Sequence, residues 1–458
     1  MYDVCIIGSG MIGSLTCLEI CKNFPKKNIV FFNPELDGSA SKAAGAMLNV
    51  FGEIDYGEQF DDYQNRKIDI GINAQNRWKK FFKENKNYKK AKTADDTIIY
   101  CKKNSTNLEN KCFKEIKKYV IKHEKNKNFN LNKLKKLKKN ILVKSDYALI
   151  KDEGAIDTNL FFKIISNELA NKKNLKIINH KVEKIFSKND YLKINFLNKS
   201  ITTKKLVLSA GAFSKDILGN IGNKIQNTFF GIGSALEIKS NKKSKLYNVI
   251  PSRTVIRTPN RGSTCGIHIV PRNDNIMYLG AGSNISKIPN YQSRIGTVDY
   301  LLSSLKNEIS NELDKDLMKN VIGFRPMSFD GKPLIGSLKN NPNIFYISGT
   351  KRDGLTYAPI ISEVVIGWLE GNRTKLDNFF YDWHPDREPI SYGNLEFSIE
   401  AYVQNKIAGL IEHDLVKIKL SRLRNQLYDE AYKMNKKIVK RFNLKDNFGI
   451  HPEILNVI

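Results

Sequence analysis

No apolar run in this chain approaches the length of a membrane span, so no spanning helix is expected. Secretory features are missing too. Asp3 stands where a basic leader region would lie, and the first apolar run is only a strand long. Cysteine is sparse: the six, at 5, 17, 21, 101, 112 and 265, form no CxxC pair. They read as reduced, mostly buried thiols of a cytoplasmic protein. No metal-ligand cluster, internal repeat or long Gly/Ser/Pro linker is visible. Acidic charge is in the minority, with 47 Asp and Glu against 75 Lys and Arg, a net charge of +28.

That excess has two readings. One is a surface for nucleic acid or an anionic membrane. The other is a composition rich in Lys, Asn and Ile together, as coding bias toward A and T produces. The densest run, Lys133 to Lys139, places leucines three apart, which fits one apolar stripe on a solvated helix. No aromatics interleave with it for base stacking. A basic field also favours an acidic substrate. At 458 residues, 41% of them apolar, the chain is too long for one ordinary core and implies two domains or more.

The strongest local pattern comes first. The apolar strand Val4-Cys5-Ile6-Ile7 runs into Gly8-Ser9-Gly10-Met11-Ile12-Gly13, and an apolar helix pattern follows through Leu15, Leu18 and Ile20. Gly8 permits the tight turn, Gly10 admits a pyrophosphate, and Gly13 lets the helix pack on the strand. The helix start then offers free N–H groups to the anion. A second strand, 28–32, ends about 20 residues past the last glycine, as a dinucleotide fold requires.

Further along, 60–145 reads as mostly helical and polar, with helices at 62–84, 110–125 and 133–139. A helix at 158–169 and strands at 176–179, 182–186, 192–196 and 206–209 follow. Residues 229–285 alternate strands and turns. Helix returns at 292–305, a strand lies at 344–347 and a helix at 360–369. The last stretch, 383–458, is a helical tail. Asn394 or Ser398 is its cap, and Leu423, Leu427, Ala431, Met434 and Ile438 recur at helical spacing. Packing on its own protein is the favoured reading; a dimer or partner surface, hence a homo-oligomer, is the alternative.

Three small-residue segments follow the fingerprint: Gly38 to Leu48, Leu206 to Phe213, and Gly323-Phe324-Arg325-Pro326 with Asp330 to Gly336 and Ser348 to Pro359. Glu153-Gly154-Ala155-Ile156-Asp157 and Ile267 to Arg272 before Tyr278 to Gly282 stand between them. In order and wording these segments resemble the D-amino-acid oxidase/glycine oxidase family of FAD-dependent oxidoreductases, over about residues 1–370.

The resemblance implies an α/β fold, α+β overall. A discontinuous Rossmann-like FAD-binding domain (1–50, 150–225, 320–380) would carry a mixed-sheet substrate domain (51–149, 226–319) and the helical extension 383–458. It implies that Gly8, Gly10, Ile12 and Gly13 hold the pyrophosphate. The family's ribose-binding acid falls on Asn33, a departure, with Glu35 two residues on to compensate. Ser41, Ala44, Gly45 and Met47 match the stretch along the ribityl chain and flavin edge, Val182 the adenine contact, and Ala210 and Gly211 a strand-end turn near the cofactor. Thr350, Arg352, Asp353, Gly354, Leu355 and Thr356 match the segment passing the flavin's pyrimidine side.

Arg325 matches the arginine that pairs with a substrate carboxylate, and Arg352 a second arginine near it; the planar fork suits that partner. His268 stands where glycine oxidases place Tyr, and Ser283 where they have an apolar side chain. Together they imply a more polar pocket. No cysteine falls in 348–357, where sarcosine-oxidase relatives attach flavin, so FAD is expected to be non-covalent.

The implied chemistry is oxidation of a C–N bond in a small anionic amine such as glycine, sarcosine, a D-amino acid or an aminophosphonate. A hydride passes to flavin N5, the imine hydrolyses, and oxygen or another acceptor reoxidises the flavin. A tRNA-modifying flavoprotein and a non-catalytic flavin-binding scaffold are the alternatives.

Overall fold

The computed structural model describes residues 1–55, 62–240, 244–262, 264–273, 275–313, 316–372 and 377–457. Parts of the expected domains and of the 60–145 stretch, and the last residue of the tail, lie outside them.

Two eight-stranded sheets organise the chain. The first has a parallel centre ordered Asn341–Ser348, Lys199–Leu208, Tyr2–Ile7, Ile29–Phe32, Leu175–Ile178. Leu334–Leu338 closes one edge antiparallel, and Lys184–Ser187 with Leu192–Phe196 form a hairpin on Lys199–Leu208. Val4 to Ile7 and Ile29 to Phe32 are buried on both faces. Uninterrupted apolar runs of this kind belong in a parallel sheet covered on both sides. Helices Met11–Asn23 and Gly354–Glu370 pack together over one face, joined through Thr16 Oγ1 and Ser362 Oγ at 3.0 Å.

The second of those helices begins earlier than the expected 360–369. It starts at Gly354 and runs through Pro359. A mid-helix proline leaves the carbonyl four residues back without its donor. Trp78 Nε1 supplies it, lying 3.3 Å from Leu355 O and 3.1 Å from Thr356 O.

The second sheet is ordered Asn284–Ser286, Thr228–Lys239, Ile276–Gly282, Thr264–Pro271, Thr254–Arg257, Asp96–Lys102, Ser145–Ile150. Leu317–Ser328 also pairs with Thr228–Lys239 along its whole length. One of these strands, Asp96–Lys102, corrects the mostly helical expectation for 60–145. Ile98, Ile99 and Tyr100 are consecutive and buried, which suits a strand packed on both sides and no amphipathic helix. The expected helices are otherwise present as Tyr63–Glu84, Asn107–Lys122 and Leu131–Asn140.

The small-residue segment 38–48 is threaded between the sheets. Tyr278 Oη donates to Ala43 O at 2.9 Å and Arg272 Nη2 to Ala44 O at 2.5 Å. Just beyond, the buried Glu153 carboxylate gathers the backbone amides of Val50, Phe51 and Gly52 at 2.7, 2.5 and 3.2 Å. This explains an acid inside an otherwise small-residue motif.

The tail is a helical hairpin, Leu395–Glu412 and Leu420–Arg441, followed by a short turn of helix, Pro452–Leu455. Asn394 is the cap, accepting from Phe397 N at 2.8 Å, while Ser398 is buried and donates to Ile450 O. Ile399, Val403, Ala431 and Ile438 bury against Phe229, Met327 and Phe329 at one end of the two long strands. Among the described residues, no helix is long and apolar enough to cross a membrane.

Candidate active site

A cavity of about 600 Å³ lies between the sheets. Gly8, Gly10 and Ile12 form its wall where the first strand turns into its helix. The turn needs glycine: Gly8 has φ +112°, and a Cβ there would fall 2.3 Å from Ser209 O. Gly13 lines nothing. It seats the helix on the turn, since a Cβ would stand 1.8 Å from Gly8 O.

Glu35, Val182, Ala210 and Gly211 line the same end, and Ser41, Ala44, Gly45 and Met47 continue the wall. Ser41 also reaches the helix start, accepting from Met11 N at 3.0 Å. Thr350 and Arg352 come from the loop after Asn341–Ser348, and Gly354, Leu355 and Thr356 from the first turn of the helix that follows it. His268 and Arg325 close the cavity from the second sheet. Two expected residues are elsewhere. Asn33 lies off the cavity and its backbone N donates to Ile178 O at 2.9 Å, whereas Glu35 is among the acids that line it. Asp353 points to Lys67, 3.8 Å from its Nζ, and does not line the cavity.

The two arginines differ in their partners. Arg352 Nη2 lies 2.7 Å from Asp55 Oδ2, and Nη1 lies 3.4 Å from Glu53 Oε2 and 3.2 Å from Asn260 Oδ1. Asn260 in turn donates to Asp55 and accepts from Arg257 Nη2 at 3.1 Å, and Arg257 Nη1 reaches Glu53 at 2.6 Å. Burial would raise the Glu53 carboxyl, but the charges of Arg257, Arg352 and Lys67 outweigh it and bring it to about 2.

Arg325 is held by neutral acceptors instead: Gly231 O at 3.4 Å, Cys265 Sγ at 2.9 Å, Gly282 O at 3.3 Å and Ser283 Oγ at 3.0 Å. It has no carboxylate partner among the described residues. The guanidinium acts on its neighbour. Burial would raise the Cys265 thiol, but Arg325 and then Arg352 pull it below its usual range.

His268 is stacked on Tyr278, ring centres 5.7 Å apart. Its Nδ1 meets Gly266 O at 3.1 Å, so that nitrogen carries the proton and Nε2 is left as an acceptor. Burial, reinforced by the Arg257 charge, pushes the imidazole down to about 3, so it is neutral.

Several residues at or beside the cavity escape a reading of the sequence. Glu53, Asp55 and Cys265 are ordinary until folding sets them beside the arginines. The one local signal is the acid pair Glu53-Ile54-Asp55, six residues past Met47. Asn49 is a further case: its buried Oδ1 has no hydrogen-bond partner among the described residues, and it lines the cavity. A buried acceptor without a donor implies a ligand that brings one. With the glycine turn at one end and this acceptor inside the cavity, the residues present fit an extended dinucleotide whose ring system carries an N–H.

The profile of the FAD dependent oxidoreductase (DAO) family matches residues 3–368. Glycine oxidase of Bacillus licheniformis is 27% identical over 110 residues, which is 24% of this chain and 30% of that protein. Thus the match spans under a third of that relative's length. Among solved structures, glycine oxidase from Geobacillus kaustophilus superposes with TM-score 0.68 at 16% identity, covering 84% of this chain and 99% of that one. Iminodiacetate oxidase from Chelativorans sp. BNC1 gives 0.69 at 13% identity, with 84% and 99% covered. The chain belongs to the FAD dependent oxidoreductase family, and its cofactor is FAD.

Proposed function

We propose that this enzyme oxidises the C–N bond of a small amine or amino acid bearing an anionic group, a carboxylate or a phosphonate. The observation that carries the reading is Arg325: a guanidinium facing the cavity, fixed by four neutral acceptors and with no carboxylate to neutralise it among the described residues. A planar fork so prepared takes a carboxylate through two charge-assisted hydrogen bonds. Arg352 has its charge met by Asp55 and Glu53, so we assign it to holding the loop and not to the substrate. His268 Nε2 accepts an N–H from the neutral amine and orients it. Glycine, sarcosine, a D-amino acid and an aminophosphonate all satisfy these contacts.

In this reading the pyrophosphate lies at Gly8, Gly10 and Ile12, Glu35 meets the adenosine ribose, and Val182 flanks adenine. The 41–47 and 350–356 segments would hold the isoalloxazine, without a covalent link. The discontinuous unit 1–50, 150–225 and 320–380 is the FAD-binding domain. When bound, FAD supplies the two-electron sink for the C–H bond that breaks. The chain's part is to anchor the substrate's anionic end at Arg325 and to keep its nitrogen unprotonated beside a neutral imidazole. Oxygen is the terminal acceptor.

The test is an anaerobic screen of amines, amino acids and aminophosphonates against the holoenzyme. An anionic amine bleaches the flavin absorbance, and its uncharged ester does so far more weakly. Equal bleaching by acid and ester, or none by any amine, overturns the reading.

A further inference from the structure

We infer that the C-terminal extension tunes the cofactor site: Glu453 pairs with Lys351 and masks a positive charge on the loop that follows the proposed pyrimidine edge of the flavin. Lys351 lines the cavity, and its Nζ lies 2.6 Å from Glu453 Oε1. The residue is rigidly placed, with φ +46° and its N donating to Pro326 O at 2.8 Å. Glu453 is placed just as firmly. His451, two residues earlier, lies over Gly331, where an added Cβ would fall 2.4 Å from its Cδ2. Arg387, from the start of the extension, clamps Asp330 through two bonds of 2.9 and 2.7 Å.

The family match ends at residue 368, and the Geobacillus glycine oxidase is covered to 99% by 84% of this chain. The Glu453 carboxylate therefore comes from outside the part shared with the family. Both cations at the tip of this loop are balanced: Arg352 by Asp55 and Glu53, Lys351 by Glu453. Burial would raise the Glu453 carboxyl, but the charges of Lys351, His451 and Arg352 outweigh it and hold it well below its usual range. It is thus an anion at neutral pH. Removing it leaves Lys351 without its paired carboxylate at the cavity wall, beside the proposed place of the ring. Positive charge there favours the reduced, negatively charged ring and tighter sulfite binding to the oxidised one.

The inference rests on the proposed lie of the flavin along 350–356. It is tested on holoenzyme by sulfite titration, followed by flavin bleaching, and by the midpoint potential against reference dyes. Glu453→Gln keeps the size and hydrogen-bonding capacity but drops the charge. Sulfite should bind about tenfold tighter, and the potential should rise by about 30 mV, the two-electron equivalent of tenfold. Lys351→Met should move both quantities the opposite way, the double variant should return close to the parent, and Glu453→Asp should behave as the parent. A Glu453→Gln holoenzyme with unchanged sulfite affinity and potential overturns the inference. So do single variants that both shift in the same direction, the signature of a loosened loop. Should Glu453→Gln fail to retain flavin, Lys351→Met decides: weaker sulfite binding supports the inference and unchanged binding overturns it. Neither readout needs an amine, so a failed substrate screen leaves this test standing.

Discussion

Arg325 and Arg352 line one cavity from different sheets and meet opposite surroundings. Arg325 touches two backbone carbonyls, a thiol and a hydroxyl; Arg352 touches two carboxylates and an amide. A buried cation must be compensated. Arg352 finds its compensation within the protein, whereas half-buried Arg325 has none among the described residues, which is why we propose a ligand anion there. Motif position places both near a substrate carboxylate, Arg325 first; the counterions separate them.

The sharpest way to break this contrast is Arg325→Ala. With an anionic substrate, kcat/KM should fall by about 2–5 kcal/mol of transition-state stabilisation, the cost of truncating one side of a buried charged pair. Flavin content and melting temperature should stay near the parent. Steady-state kinetics with unchanged kcat/KM would remove the substrate role.

Arg352→Ala should act on stability instead. It strands Asp55 and Glu53, at a cost of about 3 kcal/mol, the low end for a broken buried pair because Asp55 is partly exposed. Denaturant unfolding checks this. A variant with parent stability but lost substrate affinity would reverse the two assignments.

His268 sharpens the contrast through pH. Its folded value of about 3 lies below its ordinary 6.5, so the neutral form is favoured in the native state. Its contribution to stability is present above pH 6.5 and is lost as pH falls toward 3, at up to about 1.4 kcal/mol per pH unit. His268→Gln should flatten that part of the stability profile, and kcat/KM of the parent should show no imidazole step between pH 5 and 8. An imidazole step there would mean that His268 is charged beside Arg325.

Ser283→Ala makes the smallest change. It removes one neutral hydrogen bond from Arg325, about 1 kcal/mol, and should raise KM several-fold with kcat little altered. A fall in kcat with KM unchanged would place Ser283 on the reacting atoms instead.

What could be read from the sequence was local. The turn at Gly8 to Gly13, the Asn394 cap and the leucine stripe on Leu131–Asn140 each depend on neighbours within a few residues. The helix through Pro359 was hidden because its missing donor comes from Trp78, far away in sequence. The strand Asp96–Lys102 was hidden because a short buried apolar run suits a strand or a helix until its pairing partners are known. At the site, Asn33 follows the end of its strand and spends its backbone N on Ile178 O, so it lies off the cavity that Glu35 lines. The company of Arg352 was illegible for the same reason as Trp78: Asp55 and Asn260 reach it from about 300 and 90 residues away.

The strand Tyr2–Ile7 is central to its sheet, yet one of its flanking strands is Lys199–Leu208, and the loop at Thr350 completes the wall that its turn begins. During synthesis at about 5–20 residues per second, Gly8 leaves the ribosome roughly 17–70 s before Thr350. Through that interval the helix Met11–Asn23 lacks the helix Gly354–Glu370 that packs on it. A chain stalled before residue 350 therefore has the glycine turn but lacks the 350–356 wall of the cavity.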